Sequence, residues 1–156
     1  MIKQFTHRKG FTLIEMLIVI AIIGILASIV LVGIGPVQRQ ARDSRRAADL
    51  RQVQNALELC FSKTGSYPPS SNWAILTNNL TGGGSPASTL CGTGGVVRQV
   101  PATPSGAQYE YAQVGTGYVL AATLEDTAST LLANDIDGTV GSIACDDASG
   151  KYCIQF

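Results

Sequence analysis

The chain has 156 residues, with 11 basic and 11 acidic side chains and a formal net charge of zero. That balance argues against a general nucleic-acid-binding domain, which carries a basic footprint. Four cysteines without CxxC spacing argue against a thioredoxin-like redox motif and against an all-cysteine zinc ribbon.

The first ten residues carry Lys3, Arg8 and Lys9 and end in Gly10. Phe11 then opens an apolar run that lasts to Ile34, with Glu15 as its only charge. Those 24 residues make about 36 Å of helix against a hydrocarbon core of about 30 Å. A carboxylate inside such a segment costs roughly 2.5–3.5 kcal/mol on insertion scales, so one kept there calls for a partner. An ordinary secretory signal fits poorly, because its apolar region is about 7–15 residues long and precedes a small-residue cleavage site. A plain anchor has no need of Glu15.

Lys9-Gly10-Phe11-Thr12-Leu13-Ile14-Glu15, set between a basic leader and a long apolar helix, resembles the class III signal of type IV pilins and type II secretion pseudopilins. The resemblance implies that a prepilin peptidase cuts between Gly10 and Phe11 and that Phe11 is N-methylated. The subunit then joins identical or related pilin subunits in a filament, on an inner-membrane assembly platform. Glu15 serves methylation and assembly by offsetting the terminal amine of a neighbouring subunit. The physics agrees: a carboxylate and an amine attract strongly at low dielectric, and each is costly there alone. Before assembly, Glu15 can snorkel to the lipid headgroups.

The resemblance divides the chain into a cleaved leader (1–10), a transmembrane and assembly segment (11–35), an amphipathic helical segment (36–64) and an extracytoplasmic domain (65–156). The mature chain has 146 residues, with 8 basic against 11 acidic side chains, a net charge of −3. The only histidine, His7, leaves with the leader, so no Ser-His-Asp site or His-containing zinc site can be built. No catalytic residue, no enzyme activity and no nucleic-acid partner are expected. Lys3, Arg8 and Lys9 favour a cytoplasmic N-terminus, while Arg39, Arg42, Arg45 and Arg46 on the far side make the charge count ambiguous. The resemblance resolves this towards an inner or cytoplasmic membrane protein whose C-terminal domain lies outside the cytoplasm, and later in a filament.

Beyond Pro36 the pattern turns amphipathic. Val37, Ala41, Ala48, Leu50, Val53, Ala56, Leu57 and Phe61 recur mostly three, four or seven apart. Charged residues between them, including Asp43, Arg46 and Glu58, fall mostly on the other face. Gly65 and Pro68-Pro69 predict the end of the helix near Lys63. Gly33, Gly35 and Pro36 are candidate bend points. The Ala-Leu-Glu-Leu stretch followed by Thr64-Gly65-Ser66-Tyr67-Pro68 resembles the major pseudopilin of type II secretion. Read without that resemblance, Gly-x-Tyr-Pro is simply a good helix stop.

Asn72 predicts the cap of a short helix from Trp73 to about Leu80, and Gly-rich stretches at 82–86 and 92–95 predict loops. Strands are predicted at Val96–Val100, Gln108–Val114 and Tyr118–Leu124, the last two joined as a hairpin by Gly115-Thr116-Gly117. Helix first and strands later predicts an α+β fold with an antiparallel sheet packed on the helix. Pilin folds have that arrangement.

Two further sets of residues stand out. Cys145 and Cys153 bracket a polar loop whose closure is worth roughly 2–3 kcal/mol in the chain-entropy model. Four cysteines allow three connectivities, and the sequence does not choose among them. Likeness to pilins with a terminal disulfide loop favours Cys145–Cys153, although type II major pseudopilins generally lack that loop. Cys60 and Cys91 are then the second pair, or Cys60 is a buried thiol on the helix. Asp135 and Asp137, with Glu125 and Asp126 upstream, read first as a surface Asp-Gly turn, since the EF-hand spacing is incomplete. The resemblance adds a possible structural Ca²⁺ at Asp135 and Asp137.

The function that follows is a structural filament subunit, either a major pseudopilin of type II secretion or a type IV pilus subunit. The alternatives are a DNA-uptake minor pilin and a membrane-anchored extracytoplasmic binding module that uses the Tyr109 and Tyr111 face for a ligand or DNA.

Overall fold

The computed structural model of the chain describes residues 10–83, 90–92, 94–102 and 109–156, and of Val32 and Gly33 the backbone alone. The leader charges Lys3, Arg8 and Lys9, and Gln108 at the start of a predicted strand, lie outside the described residues. Contacts divide the chain into two units, one ending at Gln38 and the other spanning Arg39–Phe156. Helix α1 (Leu13–Thr64) contributes to both and passes through Pro36.

In the first unit, the apolar side chains from Leu13 to Leu31 are exposed. Along this stretch the helix is apolar on every side, as a membrane span is. Among the described residues, α1 is the one helix long and apolar enough to cross a bilayer.

In the second unit, α1 buries Ala47, Leu50, Val53, Ala56, Leu57 and Cys60. The 3-and-4 spacing of that stripe is the helical periodicity that the sequence shows. Its edges differ from expectation. Val37, Ala41, Ala48 and Phe61 are exposed, while Asp43 and Arg46, assigned to the polar face, are each 1 % exposed. The helix ends where Gly65 adopts φ 73° and donates its N–H to the Phe61 carbonyl at 2.7 Å, a left-handed C-terminal stop. Helix α2 (Trp73–Thr81) is capped by Asn72, whose side-chain oxygen accepts from the N–H groups of Ala74 and Ile75.

The sheet has three antiparallel strands in the order β1 (Tyr109–Val114), β2 (Gly117–Thr123), β5 (Lys151–Gln155). Along the chain between β2 and β5, β3 (Gly138–Val140) and β4 (Ile143–Cys145) form a separate two-stranded hairpin. Strand β2 is the centre of the domain and is buried from Tyr118 to Ala122. Tyr118, Leu120 and Ala122 face the helical core with Leu50 and Leu57, while Val119 and Ala121 pack with Ile143 and Cys145. A strand covered on both faces needs an unbroken apolar run, which is what Tyr118–Ala122 supplies. The fold is thus α+β, a long N-terminal helix packed on a small antiparallel sheet.

The predicted strand at Val96–Val100 does not form. The N–H groups of Val96 and Val97 both donate to the Leu80 carbonyl, at 2.7 and 3.1 Å. That segment therefore closes the C-terminal end of α2, where free carbonyls need donors. The predicted Tyr109/Tyr111 recognition face is also corrected. Both rings are 2 % exposed or less and pack among α1 and α2, with the Tyr109 hydroxyl on Asp49 and the Tyr111 hydroxyl on the Pro68 carbonyl. Burial first, then Asp49 beside Tyr109 and Tyr67 near Tyr111, push both phenol pKa values up. Rings packed this way offer no surface for stacking a ligand.

Candidate functional site

The N-terminal site is built by the first turn of α1. Phe11 is 82 % exposed, and Thr12 takes the N-cap position ahead of Leu13. Glu15 Oε2 accepts from the Thr12 N–H and from Thr12 Oγ1, both at 2.8 Å, and the Glu15 N–H donates to Thr12 Oγ1 at 3.3 Å. These three bonds form a capping box, with Thr at the cap and Glu three residues on. Thr12-x-x-Glu15 carries that signature in the sequence, where the family resemblance drew attention to Glu15 alone. The helix N-terminus also favours the negative charge. Glu15 Oε1 has no partner among the described residues. One carboxylate oxygen is thereby engaged in the cap and the other is not.

The second site gathers carboxylates from two segments. Asp135 follows a 3₁₀ turn at Leu132–Asn134, Asp137 precedes β3, and Asp147 opens a 3₁₀ turn between β4 and β5. One oxygen from each of the three lies within 4.8 Å of the others. Asp135 Oδ2 accepts the Cys153 N–H at 2.8 Å, whereas Asp135 Oδ1 and Asp147 Oδ1 are buried without a hydrogen-bond partner among the described residues. Burial first, and then the neighbouring carboxylates, push the pKa values of Asp135 and Asp147 up. The cluster opens to a cleft of about 630 Å³ lined by Asp137, Asp146 and Asp147.

This donor set fits an oxygen-seeking divalent cation such as Ca²⁺, which takes six to eight oxygen ligands, roughly, at flexible geometry. Three converging carboxylates would supply part of that shell, and the two orphaned oxygens are the ones left available to do so. Sequence spacing does not point to Asp147, because nine residues separate it from Asp137 and the β3–β4 hairpin between them brings the two together. Glu125 and Asp126, grouped with Asp135 in the sequence, sit elsewhere. Glu125 binds Arg42 and Arg46 of α1, and the Asp126 N–H donates to Asp43.

The cysteines are joined as Cys60–Cys91 and Cys145–Cys153. The first ties α1 to the segment after α2, and the second joins β4 to β5 beside the acidic cluster.

Residues 5–31 match the family described as the prokaryotic N-terminal methylation motif. The type II secretion system core protein G of Aeromonas hydrophila is 30 % identical over 113 residues, 72 % of this chain and 78 % of that protein. The chain belongs to this pseudopilin family. The core protein G of Escherichia coli K12 is 27 % identical over 135 residues, 86 % of each chain. The type IV major pilin PilA of Myxococcus xanthus is 36 % identical over 72 residues, 46 % of this chain and 33 % of its own. No solved structure matches. Like its family, the pseudopilin is a structural, non-catalytic subunit of the type II secretion machinery. Its apolar N-terminal helix gives it a membrane anchor.

Proposed function

We propose that this pseudopilin is cut between Gly10 and Phe11 by a prepilin peptidase, methylated on the new Phe11 amine, and polymerised through its N-terminal helix into a secretion filament. The leader 1–10 stays cytoplasmic, 11–35 spans the membrane and drives assembly, 36–64 packs on the domain, and 65–156 lies outside the cytoplasm. Its partners are copies of itself or related subunits, the peptidase and an inner-membrane assembly platform. The observation that supports this most directly is Glu15. It is the only charge in the exposed apolar stretch Leu13–Leu31 and caps its own first turn with one oxygen.

In the filament the Phe11 amine of a neighbour is the cation for Glu15. Both charges are poorly solvated in an apolar environment, so pairing relieves both. Exposed apolar side chains along Leu13–Leu31, which lipid covers before assembly, then pack against other subunits. We assign the Asp135, Asp137 and Asp147 cluster to a stabilising Ca²⁺. A ligand that binds only the folded state raises its stability by mass action.

The test is fractionation of a Glu15→Ala variant. It should insert in membranes as the wild type does, because removing a charge makes the helix more apolar. Its yield in the sheared filament fraction should fall at least tenfold. Wild-type filament yield would show that apolar packing alone drives assembly. For the cation, the melting temperature of the mature chain should rise with Ca²⁺ and fall with chelator, and Asp147→Asn should remove that response.

A further inference from the structure

Each member of the acidic cluster is tied to the Cys145–Cys153 bond. Asp147 lies two residues past Cys145, inside the loop that the bond closes. Asp135 accepts the Cys153 N–H, and the Ile136 N–H donates to the Cys153 carbonyl at 3.3 Å. Asp137 directly precedes Gly138, which is the register partner of Cys145 across the β3–β4 hairpin. Both half-cystines are buried, at 2 % and 0 % exposure. The disulfide therefore joins the two segments from which the three carboxylates converge.

We propose that the Cys145–Cys153 disulfide sets the affinity of the Asp135, Asp137 and Asp147 site for a hard divalent cation, so that oxidation of this pair and cation loading are coupled. The proposal rests on the cation reading given above. Three carboxylates within 4.8 Å repel one another while no cation is bound. With the bond closed, the loop of Asp146–Tyr152 cannot carry Asp147 away, and the repulsion is held in a geometry that a cation relieves. With the bond open, the loop gains conformational freedom and Asp147 can withdraw. A cation must then order the loop again, and its affinity falls by that amount.

The redox step balances simply. Cys145 and Cys153 as thiols give up two protons and two electrons to a disulfide-bearing oxidant, through a mixed disulfide, and the oxidant leaves as a dithiol. Coupling is reciprocal, so a cation that binds the oxidised form more tightly also makes that bond harder to reduce by the same factor.

The test uses the full mature chain in detergent micelles with CaCl₂ as the probe. Calorimetric titration should give at least tenfold weaker Ca²⁺ binding for a Cys145→Ser/Cys153→Ser variant than for the oxidised wild type. A second measurement needs no variant. In a glutathione buffer, saturating Ca²⁺ should shift the wild-type Cys145–Cys153 equilibrium at least tenfold towards the disulfide, about 30 mV for a two-electron couple. Peptide mapping separates this pair from Cys60–Cys91. A wild type that binds no Ca²⁺ overturns the cation reading and the coupling with it. A wild type that binds Ca²⁺, with a redox equilibrium indifferent to the ion, overturns the coupling alone.

Discussion

Arg46 Nη1 meets Asp43 Oδ1 at 2.7 Å within one turn of α1, and both side chains are 2 % exposed. The pair is more than an intrahelical contact. Asp43 Oδ1 also accepts the Glu125 N–H and Asp43 Oδ2 the Asp126 N–H, each at 2.9 Å, while Arg46 Nη2 reaches Glu125 Oε1 at 2.7 Å. A buried carboxylate with several donors is well compensated, and its partner charge depends on it. The pair fastens the helix to the segment that leaves β2.

Asp43→Ala should therefore lower stability by about 3 kcal/mol, the lower end for breaking a buried pair, since Arg46 keeps Glu125. Chemical denaturation of the variant reads this directly. An Asp43→Leu/Arg46→Met double variant should recover part of the loss, because neither charge is then buried alone. A loss below about 0.5 kcal/mol for Asp43→Ala, the range of ordinary surface changes, would show that the network is dispensable.

Glu125 gives the domain an acid limit. The Arg42 hydrogen bonds first, and then its charge and the Arg46 contact, push the Glu125 pKa down from the ordinary 4.5 to about 2. A carboxylate whose folded pKa is lowered stabilises the fold above its unfolded pKa, and that contribution is lost as pH falls through the folded one. The melting-temperature gap between wild type and Glu125→Gln should be full above about pH 5, shrink between pH 4.5 and 2, and vanish below. Added salt should narrow it at neutral pH, since Arg42 and Glu125 are both partly exposed. A gap unchanged at pH 2 would mean that Glu125 acts through packing.

Intact-mass analysis of the membrane-extracted protein should show loss of Met1 to Gly10 and the addition of one methyl group. Replacing Gly10 by a bulky residue should leave the leader attached. A mature terminus near Ser28 would instead mark an ordinary secretory signal.

Gly82 closes α2 with φ 72°, and a Cβ there would lie 2.5 Å from the Gly95 N and 2.6 Å from the Gly94 carbonyl carbon. Both the left-handed backbone and the contact disfavour a side chain. Gly82→Ala should cost more than about 1 kcal/mol in denaturant unfolding, where an open left-handed glycine costs about that much alone. Gly65→Ala is the control, with φ 73° and no atom within 4 Å of the added Cβ, and its loss should be smaller.

The sequence by itself determined the features that depend on neighbours along the chain. The Gly10-Phe11 junction, Glu15 inside an apolar run, the 3.6-residue stripe of Leu50, Val53 and Leu57, and the Asn72 cap are all local patterns. Their physics is that of a helix turn, a bilayer thickness or a backbone donor, and it needs no distant partner. The short strands were only partly legible. Tyr118–Ala122 could be read because a doubly covered strand is apolar throughout, whereas β5 (Lys151–Gln155) mixes polar and apolar residues and is a strand through its pairing with β2. Val96 and Val97 look like a strand and became a helix stop, because the Leu80 carbonyl was the available acceptor.

Only the tertiary structure decided which charges are buried and which carboxylates meet. Asp43 and Arg46 read as surface residues until Glu125, about 80 residues away, supplied the contacts that make burial tolerable. Asp147 joined Asp135 and Asp137 only because the β3–β4 hairpin and the Cys145–Cys153 bond fold one segment back on the other. Charge pairing and ligand convergence are long-range relations. Chain spacing does not encode them, since they depend on which loops the packed core brings together.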